Sequence, residues 1–320
     1  MDLAASSVIA PDLNGSKFMR IDAMADQGAF DFSDSWTGSC SRRGLTLLFT
    51  TIGLWAAANC SSRLSGAEPV YPLTAVATAG STIYVSDLRL PGIWTIAAGK
   101  GIEFFRAAPR FRTPLNAVRC VRLDRKSRVL AGDSSTRDVY RFDDKNQPQA
   151  LTNGRIGIPM DIVENAAGEL LVSDLESHRI WKVPATGGEP VEFAAIPAPR
   201  GMYLDADDRL WVVSHGKDQI IRIQPDGTQH VVVAGRPFQF PHEVVVLKNG
   251  SALVSDGYAK TIWKIPADGK PEPWIQGEPL QNPVGLCLHG DRLFIVDSRA
   301  RTVFEADADG KLSTLWNGKE

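Results

Sequence analysis

One interval of seven residues recurs six times along this chain and never varies. It runs from the residue that closes a β-rich segment to a large apolar residue further on: Asp87 to Trp94, Asp133 to Tyr140, Asp174 to Trp181, Ser214 to Ile221, Asp256 to Trp263 and Asp297 to Phe304. The first members follow one another at steps of 46, 41, 40, 42 and 41 residues. A second ruler is the proline that leads each unit: Pro72, Pro114, Pro159, Pro199, Pro241 and Pro283. A fixed period of roughly 40 residues with several strands per period restricts the chain to a propeller or a solenoid array, because one unit cannot bury its own apolar faces.

The unit beginning at Pro159 shows the content of each repeat. Short runs rich in β-branched residues, with polar turns between them, occupy Met160–Val163, Glu169–Ser173, Arg179–Val183 and Pro190–Ala194, a pattern that favours strands over helix. Turn-forming pairs separate the outer two strands: Gly187-Gly188, Asp226-Gly227, Asp268-Gly269 and Asp309-Gly310. Four antiparallel strands per unit, arranged radially around a channel, satisfy this pattern. The expected fold is all-β: a six-bladed β-propeller over residues 72–320, its blades filling the chain from about Pro72 to Trp316. The aromatic residue of each third strand is expected to pack between blades. Asp87, Asp133, Asp174, Asp256 and Asp297 recur in five of the six units, whereas a catalytic group is needed once or twice, so they are read as structural acceptors for loop N–H groups.

Units such as GIPMDIVENAAGELLVSDLESHRIWKV and APRGMYLDADDRLWVVSHGKDQIIRI resemble NHL repeats and the blades of the senescence-marker-protein/gluconolactonase family. The resemblance covers the chain from about Pro72 to its end and implies the propeller fold. It implies no single activity, since that superfamily includes lactonases, lyases and pure binding modules. The lactonases place a metal with an acidic residue of the first blade and an Asn and an Asp just before glycines of later first strands. Here Arg200 precedes Gly201 and Val284 precedes Gly285, and no matching first-blade Glu is evident, which departs from that pattern.

The first 71 residues stand outside the repeat. Residues 1–40 carry six Asp and few apolar clusters, which predicts a disordered leader or, with Met19 and Met24 as alternative starts, a mis-assigned one. Residues 41–60 hold Arg42-Arg43 and an apolar run from Leu45 to Ala58, a signal-like helix short for a membrane span. An export signal is the first reading. A lipoprotein anchor at Cys60 is the second and an uncleaved membrane anchor the third, and residues 61–71 form a linker. The expected location is periplasmic or extracellular, with membrane contact only through this segment. Beyond residue 60 the chain has 31 basic and 31 acidic residues, within a formal net charge of −2 for the whole, so no global field draws nucleic acid. Cys120 and Cys287 fall on first strands two blades apart and read as free buried thiols, and no paired Cys/His spacing points to zinc.

In a four-stranded blade the loop before the first strand and the loop joining strands two and three share one face. The residues after each proline then ring the channel mouth: Leu73-Thr74, Leu115-Asn116, Met160-Asp161, Arg200-Gly201, His242-Glu243 and Val284-Gly285. Asn116, Asp161, Arg200, His242 and Glu243 are polar where the repeat does not demand it, which makes the mouth the candidate site. His242 is a candidate base, with Asp161 and Glu243 as candidate catalytic carboxylates, and Asn116, Asp161 and Glu243 offer oxygen ligands to calcium or a similar divalent cation. Equally, Asp161 and Glu243 simply pair with Arg200. Arg89, Arg137, Arg179, Lys217, Lys260 and Arg301 supply a basic rim, with His178 and Arg299, fit for a small anionic molecule. The leading expectation is an exported module that binds a small anionic ligand or a protein partner at this mouth. The rival is a lactonase-like hydrolase or a lyase using the same residues. Glu305-Ala-Asp307-Ala-Asp309-Gly310 imitates a calcium loop, but Trp316 stands where the closing Glu belongs and the repeat makes it a hairpin turn.

Overall fold

The structure, a computed structural model, describes residues 72–78, 82–87, 91–267 and 269–318. The leader, signal-like segment and linker, with Cys60 and Arg89, lie outside the described residues. Among the described residues every regular element is a strand, and the strands form six sheets of four, each in simple sequential antiparallel order. This is the six-bladed propeller expected from the period.

The sheets bury their apolar residues against one another. Each blade interface has its own apolar cluster; Cys120, Leu130 and Val139 of blade two, for example, meet Ile162, Leu170 and Val172 of blade three. Second strands such as Leu170–Asp174 are buried along their whole length, because both faces are covered by neighbours, while fourth strands such as Val191–Ala195 lie largely at the surface. The ring closes in the same way. Val85, Trp94 and Ile96 of blade one pack on Phe294, Val296, Val303 and Trp316 of blade six, so the described blades close by apolar packing between complete sheets. Trp94, Tyr140 and Phe304 all sit in such interfaces, as the third-strand position requires.

The seven-residue interval has a geometric cause. In blade three Val172 pairs with Trp181 and Asp174 with Arg179, so a four-residue loop follows the aspartate and the aromatic stands two residues into the next strand. Its indole N–H donates to Asp174 at 3.1 Å. The same carboxylate accepts from the amides of Gly157 (3.0 Å) and Ile158 (2.8 Å) in the loop before the first strand, and from Glu176 N at 3.0 Å in the loop after the second. Asp133, Asp256 and Asp297 repeat this arrangement, each tying the loop before its blade to the loop after its second strand. The structural reading of these residues thus extends to a second loop. In blade four Ser214 substitutes, accepting from Gly216 N at 3.0 Å and donating to the Pro197 carbonyl at 2.7 Å.

The proline ruler fails once. Pro72, Pro159, Pro199, Pro241 and Pro283 each pair with the residue that ends their second strand, but in blade two that partner of Asp133 is Val118. Pro114 lies in the loop before the strand. The long connection between Arg106 and Val118 shifts the register of the mouth by four residues relative to the sequence reading.

Candidate functional site at the channel mouth

Counting from the true strand starts, the residues one step along the six first strands are Leu73, Arg119, Met160, Arg200, His242 and Val284. All six line a single cavity of about 160 Å³, joined there by Thr74, Gly201, Glu243 and Asn282. The repeat therefore delivers one side chain per blade to one point. Asn116, expected in this ring, does not line the cavity; its amide donates to the Ala108 carbonyl at 2.8 Å. Arg119 holds the place assigned to it.

Deeper in the channel, Arg122 spans from blade two to blades three and five. Its Nη2 donates to Asp161 Oδ2 at 2.8 Å and to Glu243 Oε2 at 2.7 Å. Asp161 also accepts from Met202 N at 2.6 Å and from its own neighbour Ile162 N at 2.8 Å. Asp161 and Glu243 are buried, and the Arg122 side chain is 14% exposed. Burial pushes the Glu243 carboxyl well above the usual carboxylate range, Asp161 adds to that, and Arg122 opposes it. The two carboxylates are thus paired with an arginine, but with Arg122 and not with Arg200. Glu243 faces the mouth cavity, and Arg122 lines a second cavity beyond, of about 280 Å³.

This arrangement does not fit a divalent cation. The guanidinium already takes the position between the two carboxylates that a metal would need, and Asn116 is engaged elsewhere. Among the described residues no group of three or more His, Cys, Asp or Glu is placed to hold a metal ion. Of the expected ligand set, Asp161 and Glu243 come together on Arg122, whereas the register of blade two carries Asn116 away.

The mouth is electropositive and sparsely paired. Arg200 lies over the Phe240 ring at 4.8 Å, and Phe240 stacks in turn on Tyr258 at 4.7 Å. Arg200 Nε is buried without a hydrogen-bond partner. Burial and the nearby Arg119 charge lower the Arg200 pKa, a sign that two like charges share a dehydrated place. Arg119 donates from Nε to Ser134 Oγ at 2.9 Å and, like Arg200, has no ion pair among the described residues. Burial, Arg200 and His215 hold the His242 imidazole down to about 3, so it is neutral at physiological pH. Its ring packs against Phe240 at 4.9 Å.

The rim residues have separate fates. Arg137 makes a two-pronged pair with Glu176 at 2.9 and 3.0 Å, and Arg179 pairs with Glu192 at 2.7 Å. Lys217, Lys260 and Arg301 are exposed. Arg137, His178, Lys260 and Arg301 each stand four residues after a blade aspartate with positive φ, so the basic side chains ride on one repeated loop conformation. Sequence reasoning missed Arg119, Arg122 and Asn282. A count of fifteen back from Asp133, the distance from Asp174 to Pro159, reaches Val118 and exposes the first two.

Gly201 is fixed by this packing. A Cβ there would stand 2.2 Å from Glu243 Oε1 and 2.6 Å from the His242 carbonyl oxygen, and the backbone contact cannot swing aside. The Gly201→Ala variant is expected to lose about 1–3 kcal/mol of stability, read from a urea denaturation curve.

Several solved structures share this architecture. Virginiamycin B lyase from Staphylococcus aureus aligns at 17% identity over 77% of this chain and 84% of that one, with a TM-score of 0.61. A gluconolactonase from Xanthomonas campestris aligns at 18% identity over 72% of this chain and 84% of that one, with a TM-score of 0.62. A chain of the nidogen/laminin complex aligns at 17% identity over 76% of this chain and 92% of that one, with a TM-score of 0.60. What they share is the propeller fold. The likeness to NHL and gluconolactonase-like propellers, first read from the repeats, is thereby met at the level of fold. No family model matches the sequence. No curated protein matches it either.

Proposed function

We propose that this propeller binds a small carboxylate- or phosphate-bearing molecule at its channel mouth, between Arg119 and Arg200 and beside neutral His242. The observation that carries this reading is the pair of arginines without carboxylate partners among the described residues, one of them with a buried, unsatisfied Nε. A buried polar group without a partner is costly, and a bound anion relieves it with charge-assisted bonds. The twin arginines and apolar run of residues 41–60 support export, so the ligand is one met outside the cytoplasm.

The test is titration calorimetry of the purified protein with galacturonate and with inorganic phosphate. Arg119→Ala and Arg200→Ala are each expected to weaken binding about 10- to 100-fold, the worth of one charge-assisted contact. Unchanged affinity in the double variant would place the anion elsewhere. Because His242 is already neutral and galacturonate stays ionised throughout, affinity for galacturonate should stay flat between pH 5.5 and 7.5. A histidine with an ordinary pKa would instead strengthen anion binding on acidification, so a marked gain at pH 5.5 would contradict a neutral His242.

A second reading is a lyase or hydrolase with His242 as base. It is favoured by the cavity-facing imidazole and by one structural neighbour, a virginiamycin B lyase described as catalytically inactive in a histidine-to-alanine variant with quinupristin. A base with a pKa near 3 is weak in the free protein, and only the charge of a bound anion would draw it upward. Asp161 and Glu243 serve in this reading as groups that position the mouth through Arg122. Binding without turnover, undiminished in His242→Ala, supports the module; turnover abolished in that variant supports the enzyme.

A further inference from the structure

The mouth cavity shares a lining residue with each of two further depressions. Arg119 lines both it and a wider depression of about 760 Å³ on the blade-two side, which also holds Phe111, Arg112 and Arg137. Asn282 lines both it and a depression of about 510 Å³ on the opposite side, with Tyr258, Lys260 and Arg299. Glu176 lies in the first but is consumed by Arg137. The remaining cations, Arg112, Lys260 and Arg299, have no ion pair among the described residues, as is also true of the central arginines. At each outer depression a large ring stands mostly in solvent: Phe111 and Tyr258 are both 68% exposed. Tyr258 stacks on Phe240, which carries Arg200, so the exposed ring is braced in place.

Phe111 and Arg112 belong to the long connection that displaced the register of blade two. That segment supplies a platform the plain repeat lacks. A ring beside a cation, then paired arginines, then a ring beside cations matches a ligand that alternates flat apolar faces with carboxylates. Sugar rings stack on aromatic faces through their C–H surfaces, and each residue of an oligouronate carries one carboxylate.

Building on the anion-site reading above, we propose that the trough binds an acidic oligosaccharide of about three residues, with one uronate carboxylate at Arg119 and Arg200 and flanking rings on Phe111 and Tyr258. Single-stranded nucleic acid also uses cations and stacking. It is disfavoured by the balanced charge beyond residue 60, which provides no long-range attraction to a polyphosphate.

The experiment compares galacturonate, trigalacturonate, neutral maltotriose and a short thymidine oligonucleotide by calorimetry on the intact protein. Trigalacturonate is expected to bind at least about tenfold more tightly than galacturonate. That gain should vanish in Phe111→Ala/Tyr258→Ala, whose denaturation midpoint should match the parent because both rings are exposed. Equal affinity for the single and triple uronate would overturn the trough while leaving the central anion site standing. Failure of every anion would overturn both. Maltotriose binding as tightly as trigalacturonate would remove the acidic requirement, and tighter binding of the oligonucleotide would assign the trough to nucleic acid instead.

Discussion

Replacing Arg122 with methionine is expected to destabilise the propeller by about 3–5 kcal/mol, because it strands two buried carboxylates without their cation. Among the described residues, Arg122 is the one group that bonds both Asp161 and Glu243, at 2.8 and 2.7 Å. Methionine keeps much of the side-chain volume, so the loss reads charge and not a cavity. The effect should depend on pH. Glu243 has a folded pKa raised above its unfolded value, so its contribution to stability is present in acid and lost as pH rises through the folded value. Arg122 pulls that pKa down, and its removal raises it further. The deficit of Arg122→Met should therefore be greatest at neutral pH and shrink toward pH 4. Guanidinium denaturation at both pH values measures it, with the triple variant Arg122→Met/Asp161→Asn/Glu243→Gln expected to recover most of the loss. A loss below about 1 kcal/mol at pH 7 would mean that the trio behaves as an exposed, water-screened pair.

Asp174→Ala is expected to be nearly as severe, at about 3–5 kcal/mol, for a different reason. One carboxylate accepts from four backbone amides, those of Gly157, Ile158, Glu176 and Ser177, and from the Ser177 hydroxyl at 2.7 Å and the Trp181 indole at 3.1 Å. Removal leaves these donors unpaired and unties two loops at once. In a domain of this size that corresponds to a fall in midpoint temperature on the order of 10 °C. The hydrogen bonds from Ile158, Ser177, Gly157 and Trp181 outweigh burial, which acts in the opposite sense, and lower the Asp174 pKa. A depressed carboxylate pKa gives stability that is present above the unfolded value of 3.8 and lost as pH falls through the folded value. Parent and variant should accordingly converge in strong acid, as scanning calorimetry at pH 7 and pH 3 would read. Equal midpoints at pH 7 would show that water replaces the carboxylate.

The fold was legible because it is periodic. A residue that ends a strand and an aromatic two places into the next are tied by hairpin register, so their spacing is a property of adjacent sequence and survives in every blade. The recurrence of Asp133, Asp174, Asp256 and Asp297 marked them as structural, and their bonds to the loops on either side agree. The site was legible in part. Arg200 and His242 were placed at the mouth correctly because their blades keep the proline at the strand start. Asn116 was misplaced because Pro114 imitates that marker from within a long loop.

What the sequence alone determined is the set of relations that act locally: six repeats, four strands each, the conserved hairpin spacing, and the principle that the first strands face one channel. What only the tertiary structure decided is which distant charges meet. Arg122 and Glu243 lie 121 positions apart, and no periodicity relates them. Their pairing follows from ring closure, which brings blades two, three and five to one axis and turns two expected metal ligands into partners of an arginine. The same closure brings Arg119 and Arg200 to one cavity with no ion pair of their own among the described residues, because Glu243, the carboxylate that also lines it, is paired with Arg122.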